Sequence, residues 1–231
     1  MSDAGVLLEV EKLNAFYGRA HILFDIDLQV NRGEVIALIG HNGAGKSTTM
    51  KAVIGLVDRV AGRVRFKGHD IVGTLPHVIA RSGLGYVPED RRIFTELTVR
   101  ENLEVGRQAP RKGAVEWTVE KVFELFPNLA LRSDRLAARM SGGEQKMLAV
   151  ARTLMGNPYL LLLDEPSEGI APVVAEEMIR AILALKREGT AILLCEQNTR
   201  FAELVSDRGY VLESGRVVRD GAMRELQREG G

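Results

Sequence analysis

Apolar residues run along this chain in two rhythms. Three short stretches, 35–39, 159–163 and 190–195, are apolar at nearly every position. Runs of that length and density suit parallel strands buried on both faces. Helical spacing fills the segments 46–56, 142–155 and 173–188, and Gly189 is a C-terminal stop for the last. Strand and helix in alternation predict an α/β fold with a mostly parallel sheet. Shorter, alternating patterns at 7–10, 21–30 and 62–67 predict an antiparallel β edge beside that sheet. Segments 208–213 and 216–219 flank Ser214-Gly215 and predict a hairpin. Between 89 and 157 strand character is scarce. Residues 115–126 carry a helical pattern that Pro127 is expected to stop. This stretch reads as a helical insertion in one domain spanning 1–231.

Composition narrows the classes. With 231 residues and 45% hydrophobic content, the chain can bury a substantial core. Lys+Arg and Asp+Glu balance at 31 each, so no overall field favours nucleic acid, and none is expected as a partner. Cys195, the single cysteine, sits in an apolar run and reads as a core residue; no intrachain disulfide is possible. No apolar stretch approaches the ~20 residues of a membrane span. Asp3 and Glu9 stand where a signal peptide would carry basic residues. Any membrane association is therefore expected to come through partners.

Chemistry enters at Gly40-His41-Asn42-Gly43-Ala44-Gly45-Lys46-Ser47, followed by Thr48. The spacing is G-x-x-x-x-G-K-S, directly after the apolar run 35–39. A buried strand ends there, a glycine-rich turn exposes its N–H groups, and a helix starts with its positive end at the same point. Lys46 can reach the β- and γ-phosphates of a nucleotide, and the Ser47 hydroxyl can ligate Mg²⁺. A second element, Asp164-Glu165, closes the apolar run Leu160-Leu161-Leu162-Leu163. Carboxylates at the carboxyl end of a buried strand lie where α/β sheets bind ligands. Asp164 is suited to hold Mg²⁺ through water, and Glu165 to polarise an attacking water. A third element, Ser141-Gly142-Gly143-Glu144-Gln145, opens a helix. Ser141 and Glu144 form a capping box, and the two glycines bare the helix N-terminus as a second anion site. One nucleotide does not need two cradles in one chain. Two copies head to tail would use both.

In this order, the three elements resemble the ATP-binding subunits of ABC transporters, across essentially the whole chain. The resemblance implies a P-loop NTPase core, 1–88 and 158–231, with a helical subdomain, 89–157, carrying the signature Ser141-Gly142-Gly143-Glu144-Gln145. It implies an ATPase using ATP and Mg²⁺, with Tyr17 stacked on adenine. Gly40, Asn42, Gly43, Ala44, Gly45, Lys46, Ser47 and Thr48 would hold the phosphates. Ser47, Asp164 and Glu89 would face the metal, Glu165 would be the catalytic carboxylate, and Ser141, Gly142 and Gly143 would close on the facing subunit's ATP. Two positions depart from the usual pattern: Glu89 stands for a glutamine and Gln197 for a histidine. Glu89, when ionised, cannot donate a hydrogen bond; Gln197 can donate but cannot carry a proton. The loop Ser167-Glu168-Gly169-Ile170-Ala171-Pro172 departs from the usual dimer-interface sequence as well.

Val87-Pro88-Glu89, Arg91-Arg92-Ile93-Phe94 and Glu196-Gln197-Asn198 resemble the smaller ATPase of branched-chain amino acid importers. The implied partners are a second ABC ATPase, in a heterodimer with a homodimer as the alternative, two membrane permeases and, indirectly, an external solute-binding protein. The implied location is peripheral, on the cytoplasmic face of the inner membrane. Arg91, Arg92, Ile93 and Phe94 are expected to form an exposed permease-docking rim. Urea or short-chain amide importers, a soluble ABC switch protein and a P-loop kinase are the competing readings.

Overall fold

The structure is a computed structural model and describes residues 5–228. The chain begins with two long antiparallel strands, β1 (Val6–Tyr17) and β2 (Ala20–Asn31). β3 (Val35–Ile39) then runs into helix α1 (Lys46–Val53). β4 (Arg59–Phe66) and β5 (His69–Asp70) return to the first sheet, and α2 (Pro76–Arg81) leads into β6 (Leu84–Val87). Four helices follow: α3 (Val99–Gly106), α4 (Val119–Leu125), α5 (Pro127–Ala130) and α6 (Gly142–Leu154). The chain closes with β7 (Leu160–Asp164), α7 (Pro172–Arg187), β8 (Ala191–Glu196), α8 (Thr199–Val205), the hairpin β9 (Arg208–Glu213) and β10 (Arg216–Ala222), and α9 (Met223–Arg228).

Two sheets result. The antiparallel one has the order β2-β1-β4-β5, and the second has the order β10-β9-β3-β8-β7-β6. Within the second, β9, β3, β8, β7 and β6 are parallel, and β10 is an antiparallel edge. The uniform apolar runs now have a cause. Ile36 and Leu38 of β3, with Leu160, Leu162 and Leu193, face the antiparallel sheet and α1. Val35, Ala37 and Ile39, with Leu161, Leu163 and Leu194, face α3, α6, α7 and α8. Side chains alternate across a strand, so a strand between two apolar layers must be apolar throughout.

The α/β expectation and its antiparallel edge hold, with three corrections. The parallel sheet has two members beyond the three apolar runs, β6 and β9; Gly85 and Gly209 interrupt their apolar character. β1 is 12 residues long, well beyond 7–10, whereas β2 matches 21–30 to within one residue at each end. Register shifts between Val10 and Leu13, with Lys12 at φ 46°, break the two-residue alternation and hide the strand in the sequence. The helix read at 115–126 is shorter than expected, although it does stop before Pro127. α4 starts only at Val119, where the Thr118 side chain accepts from Lys121 N–H, and Pro127 then opens α5 at its first position. The other helices end within a few residues of expectation. From 89 to 157 the described residues form helices, one isolated bridge, Thr98 to Leu136, and no strand.

The hairpin turn ties the two sheets to the glycine-rich loop. Gly215, at φ 77°, donates its N–H to the Ala44 carbonyl and accepts from Phe24 N–H, at 2.9 and 2.8 Å. A Cβ there would lie 2.0 Å from the Ile22 carbonyl oxygen. Gly215→Ala should therefore destabilise the chain by about 2 kcal/mol or more, combining left-handed strain with a backbone clash. Urea unfolding checks this; an unchanged midpoint would mean that the turn relaxes freely.

Candidate functional site

The loop after β3 is built to present N–H groups. Gly43 and Gly45 have φ of 80° and 109°, the left-handed region open to glycine. Gly40 packs so closely that a Cβ would lie 2.4 Å from the Leu212 carbonyl oxygen. Gly45 is the N-cap of α1, and no side chain caps that helix. Its first N–H groups and its dipole are thus left to an anion.

Lys46 is buried, and its Nζ donates to the carbonyls of Gly40 and His41 at 2.8 and 3.2 Å. It also pairs with Glu165 Oε1 at 3.1 Å. Ser47 Oγ donates to Asp164 Oδ1 at 2.8 Å, and Tyr86 OH to Asp164 Oδ2 at 3.2 Å. Burial pushes the Asp164 carboxyl up despite these two bonds, and it pushes the Tyr86 hydroxyl up as well. The two elements separated by more than a hundred residues thus meet at the carboxyl edge of the parallel sheet, as their positions after β3 and β7 require.

A cavity of about 450 Å³ opens over this edge. Tyr17, Asn42, Gly43, Gly45, Lys46, Ser47, Thr48, Glu89 and Glu165 line it, with Ile22 and Glu168. Gly40 and Ala44 shape the loop behind it. Tyr17 is half exposed at the end of β1 and can offer its ring to a base. Gln197 falls elsewhere: it is exposed and lines a separate cavity with Gly40, His41 and Thr199. Ser141, Gly142 and Gly143 open α6 and are not among the residues lining the 450 Å³ cavity. Their capping box is formed, with Ser141 N–H donating to Glu144 Oε2 at 2.8 Å and Glu144 N–H to Ser141 Oγ at 3.3 Å. Gly142 lies against the Arg91 guanidinium and Gly143 against Val174; a Cβ would come within 2.9 and 2.8 Å of them.

The donor set fits Mg²⁺. The Ser47 hydroxyl and the Asp164 carboxylate are hard oxygens in mutual contact, and Glu89 is on the same cavity wall. Among the described residues no three His, Cys, Asp or Glu converge into a metal cage. That suits Mg²⁺, which keeps waters and phosphate oxygens and takes only one or two protein ligands.

Several residues beside this cavity had no role assigned from sequence. Glu196, buried at the end of β8, accepts from Ser167 N–H at 2.8 Å, Ser167 Oγ at 2.9 Å and Asn198 N–H at 3.3 Å. Burial still pushes its carboxyl up. The signal for it is the same as for Asp164 and Glu165: an acid closing an apolar run. Lys146 of α6 donates to the carbonyls of Glu165 and Glu168. No sequence signal marks it, because a lysine in an amphipathic helix ordinarily faces water. Cys195 is buried, as expected for a core thiol, and burial pushes it up.

Comparison with known proteins follows the same lines. The family model described as ABC transporter matches residues 23–168. The high-affinity branched-chain amino acid transport ATP-binding protein BraG of Pseudomonas aeruginosa is 44% identical, over 92% of this chain and 91% of its own. A probable branched-chain amino acid transport ATP-binding protein, LivF of Archaeoglobus fulgidus, is 38% identical, over 95% and 94%. The crystal structure of the ADP conformation of MJ1267, an ATP-binding cassette of an ABC transporter, superposes with a TM-score of 0.80 at 29% identity, over 96% of this chain and 94% of that one.

Glu165 and Glu168 share a proton. Their hydrogen bond, then burial and the charge of Glu165, push the Glu168 carboxyl from 4.5 up to about 7. Burial would raise Glu165 too, but the bond from Glu168 and the Lys46 pair outweigh it and hold Glu165 low. Between pH 4.5 and about 7 the folded chain therefore keeps a proton on Glu168 that the unfolded chain has lost. This contribution to stability is full below the unfolded value and is lost as pH rises through about 7. Relative to Glu168→Gln, the wild-type chain should lose melting temperature from about pH 5 to pH 8; a constant difference across that window would count against the shared proton.

Proposed function

The chain belongs to the ABC transporter family, and from that premise we propose that it is the ATPase of an importer for branched-chain or related hydrophobic amino acids. Membership makes it a nucleotide-binding ATPase subunit of a transporter. The solute rests on the two relatives named for branched-chain amino acid transport. The observation that carries the catalytic reading is the meeting of Lys46, Ser47 and Glu165 on one cavity wall, with Asp164 bonded to Ser47 behind it.

In this reading Tyr17 stacks on adenine, while Gly40, Asn42, Gly43, Ala44, Gly45 and Thr48 shape the phosphate cradle. Ser47 and Asp164, with Glu89 on the cavity wall, would hold Mg²⁺, which would supply charge neutralisation on the phosphates. Lys46 turns its ammonium from the loop carbonyls toward the γ-phosphate. Glu165, ionised beside Lys46, orients and polarises the water. Phosphoryl transfer needs mainly such positioning and charge stabilisation, and one preorganised donor is worth about 3–4 kcal/mol of barrier. Ser141 is exposed at the start of α6, with Gly142 partly exposed and Gly143 buried behind it, and the three complete the site of a second, related ATPase chain. Gln197 offers an amide where a charge-carrying group is usual, which favours a heterodimer whose partner supplies the stronger site. ATP binding closes the pair and hydrolysis releases it, a ligand-biased equilibrium that drives two permeases.

Among the described residues no helix is long and apolar enough to cross a membrane. We place the chain peripherally, on the cytoplasmic face of the inner membrane, held there by the permeases. The contact surface is a groove of about 430 Å³ lined by Arg81, Phe94, Val105, Arg111 and Arg152. Phe94 and Val105 are about half exposed. One refinement of the docking rim follows from the geometry. Arg91 is turned inward, donating to Gln145 Oε1 at 3.2 Å, and Ile93 is partly buried against the helical core. Arg92 and Phe94 are the exposed pair, Arg92 held by Asp90 at 2.9 Å.

Two measurements test this reading. Glu165→Gln should abolish most ATP turnover and lengthen the life of the ATP-bound dimer, read by size exclusion; hydrolysis at the wild-type rate would remove Glu165 as the activating carboxylate. Tagged Glu165→Gln protein drawn from native membranes with Mg-ATP should bring two permeases and a second ATPase, and Phe94→Asp should lose the permeases at unchanged ATP affinity. Recovery of soluble partners alone would contradict the transport reading.

A further inference from the structure

Lys146 is a charge in an expensive place. It lies in the second turn of α6, is 3% exposed, and has apolar neighbours in sequence from Met147 to Val150. Among the described residues no carboxylate pairs with it; its Nζ instead donates to the backbone carbonyls of Glu165 at 2.5 Å and Glu168 at 2.9 Å. Burial pushes the ammonium down, against the pull of Glu168 and Glu196. A buried ammonium without an ion pair is costly, and an apolar residue would fill the same space at less cost. What the charge does here is hold a turn.

That turn carries the catalytic carboxylate. Glu165 has φ 49°, a left-handed backbone unusual for a residue with a side chain. Its N–H donates to the Cys195 carbonyl at 3.1 Å, and its carbonyl accepts from Glu168 N–H at 3.2 Å as well as from Lys146. The backbone at Glu165 sets the direction of its side chain toward Lys46. The same ammonium is rooted in α6, five residues after Ser141. α6 therefore has two ends of business: its N-terminus bears the signature, and Lys146 grips the turn that bears Glu165.

We propose that Lys146 is a positioning residue that fixes Glu165 and links it to the signature helix, so that closure of α6 on a facing subunit's nucleotide aligns the carboxylate of its own chain. The inference rests on the reading of Glu165 and of Ser141 to Gly143 given under the proposed function.

The test is single-turnover ATP hydrolysis by the assembled complex carrying the variant chain with its partner ATPase, with the variant chain's ATP affinity and melting temperature measured in parallel. Lys146→Met removes the donor and keeps the stem. It should slow hydrolysis about 10–100-fold, the scale of a misplacement near 1 Å, and leave ATP affinity within about twofold. Lys146→Arg should recover most of the rate, and Lys146→Gln, with one amide donor, should lie between. If the methionine variant does not fold, the ordering of Gln, Arg and wild type decides. Added to Glu165→Gln, Lys146→Met should slow nothing further, because it acts through that carboxylate. Hydrolysis at the wild-type rate in Lys146→Met, with Glu165→Gln slow, would overturn the positioning role and leave Glu165 in place. Wild-type rates in both would overturn the assignment of Glu165 itself. Parallel loss of rate and ATP affinity, unrelieved by arginine, would reduce Lys146 to a structural charge and overturn the proposal.

Discussion

Burying the ammonium of Lys46 is the constraint on which this site depends. A charge taken out of water must be met by dipoles or by an opposite charge. Here two loop carbonyls and Glu165 meet it. The loop must curl back to bring the carbonyls of Gly40 and His41 to Nζ, and β7 must lie next but one to β3 so that Glu165 reaches the same atom. β8 fills the place between them, with Leu194 paired to both Ala37 and Leu163. Sheet order, glycine positions and the strained backbone at Glu165 all serve that one charge. In the proposed function, a phosphate entering the cradle would offer Lys46 a stronger partner than carbonyls.

The layers around the sheet separate two tasks. On one face, the antiparallel sheet and α1 form a core that holds the loop and Tyr17. On the other, the helices from α3 to α8 form a second core that carries the signature end of α6. The parallel sheet belongs to both. Its carboxyl edge thus borders both cores, and Asp164, Glu165 and Glu196 all stand on that edge.

Much of this was legible in the sequence, for physical reasons. The doubly apolar strands declare themselves because two cores leave no polar face to hide. The loop from Gly40 to Ser47 is legible because few other residues can curl around a phosphate, and the capping box at Ser141 because its spacing is that of the hydrogen bonds it makes. Most of β1 was hidden by bulges, which shift the alternation without changing composition, whereas β2 was read almost to its ends. Lys146 was not legible, since a lysine in an amphipathic helix ordinarily faces water; only the fold reveals that this one faces a turn some twenty residues later. Gln197 could be aligned with its motif but not located, because its exposure depends on how the chain leaves β8.

Enclosure of nucleotide by the loop of one chain and the signature helix of another is the central proposal. The most direct measurement is a cryo-electron microscopy structure of the assembled complex with Mg²⁺ and a non-hydrolysable ATP analogue. The expected result is the γ-phosphate between Lys46 of one subunit and the helix N-terminus at Ser141, or its equivalent in the partner ATPase, of the other. Nucleotide held by one chain alone, with the N-terminus of α6 turned to solvent in the fully occupied complex, would contradict it.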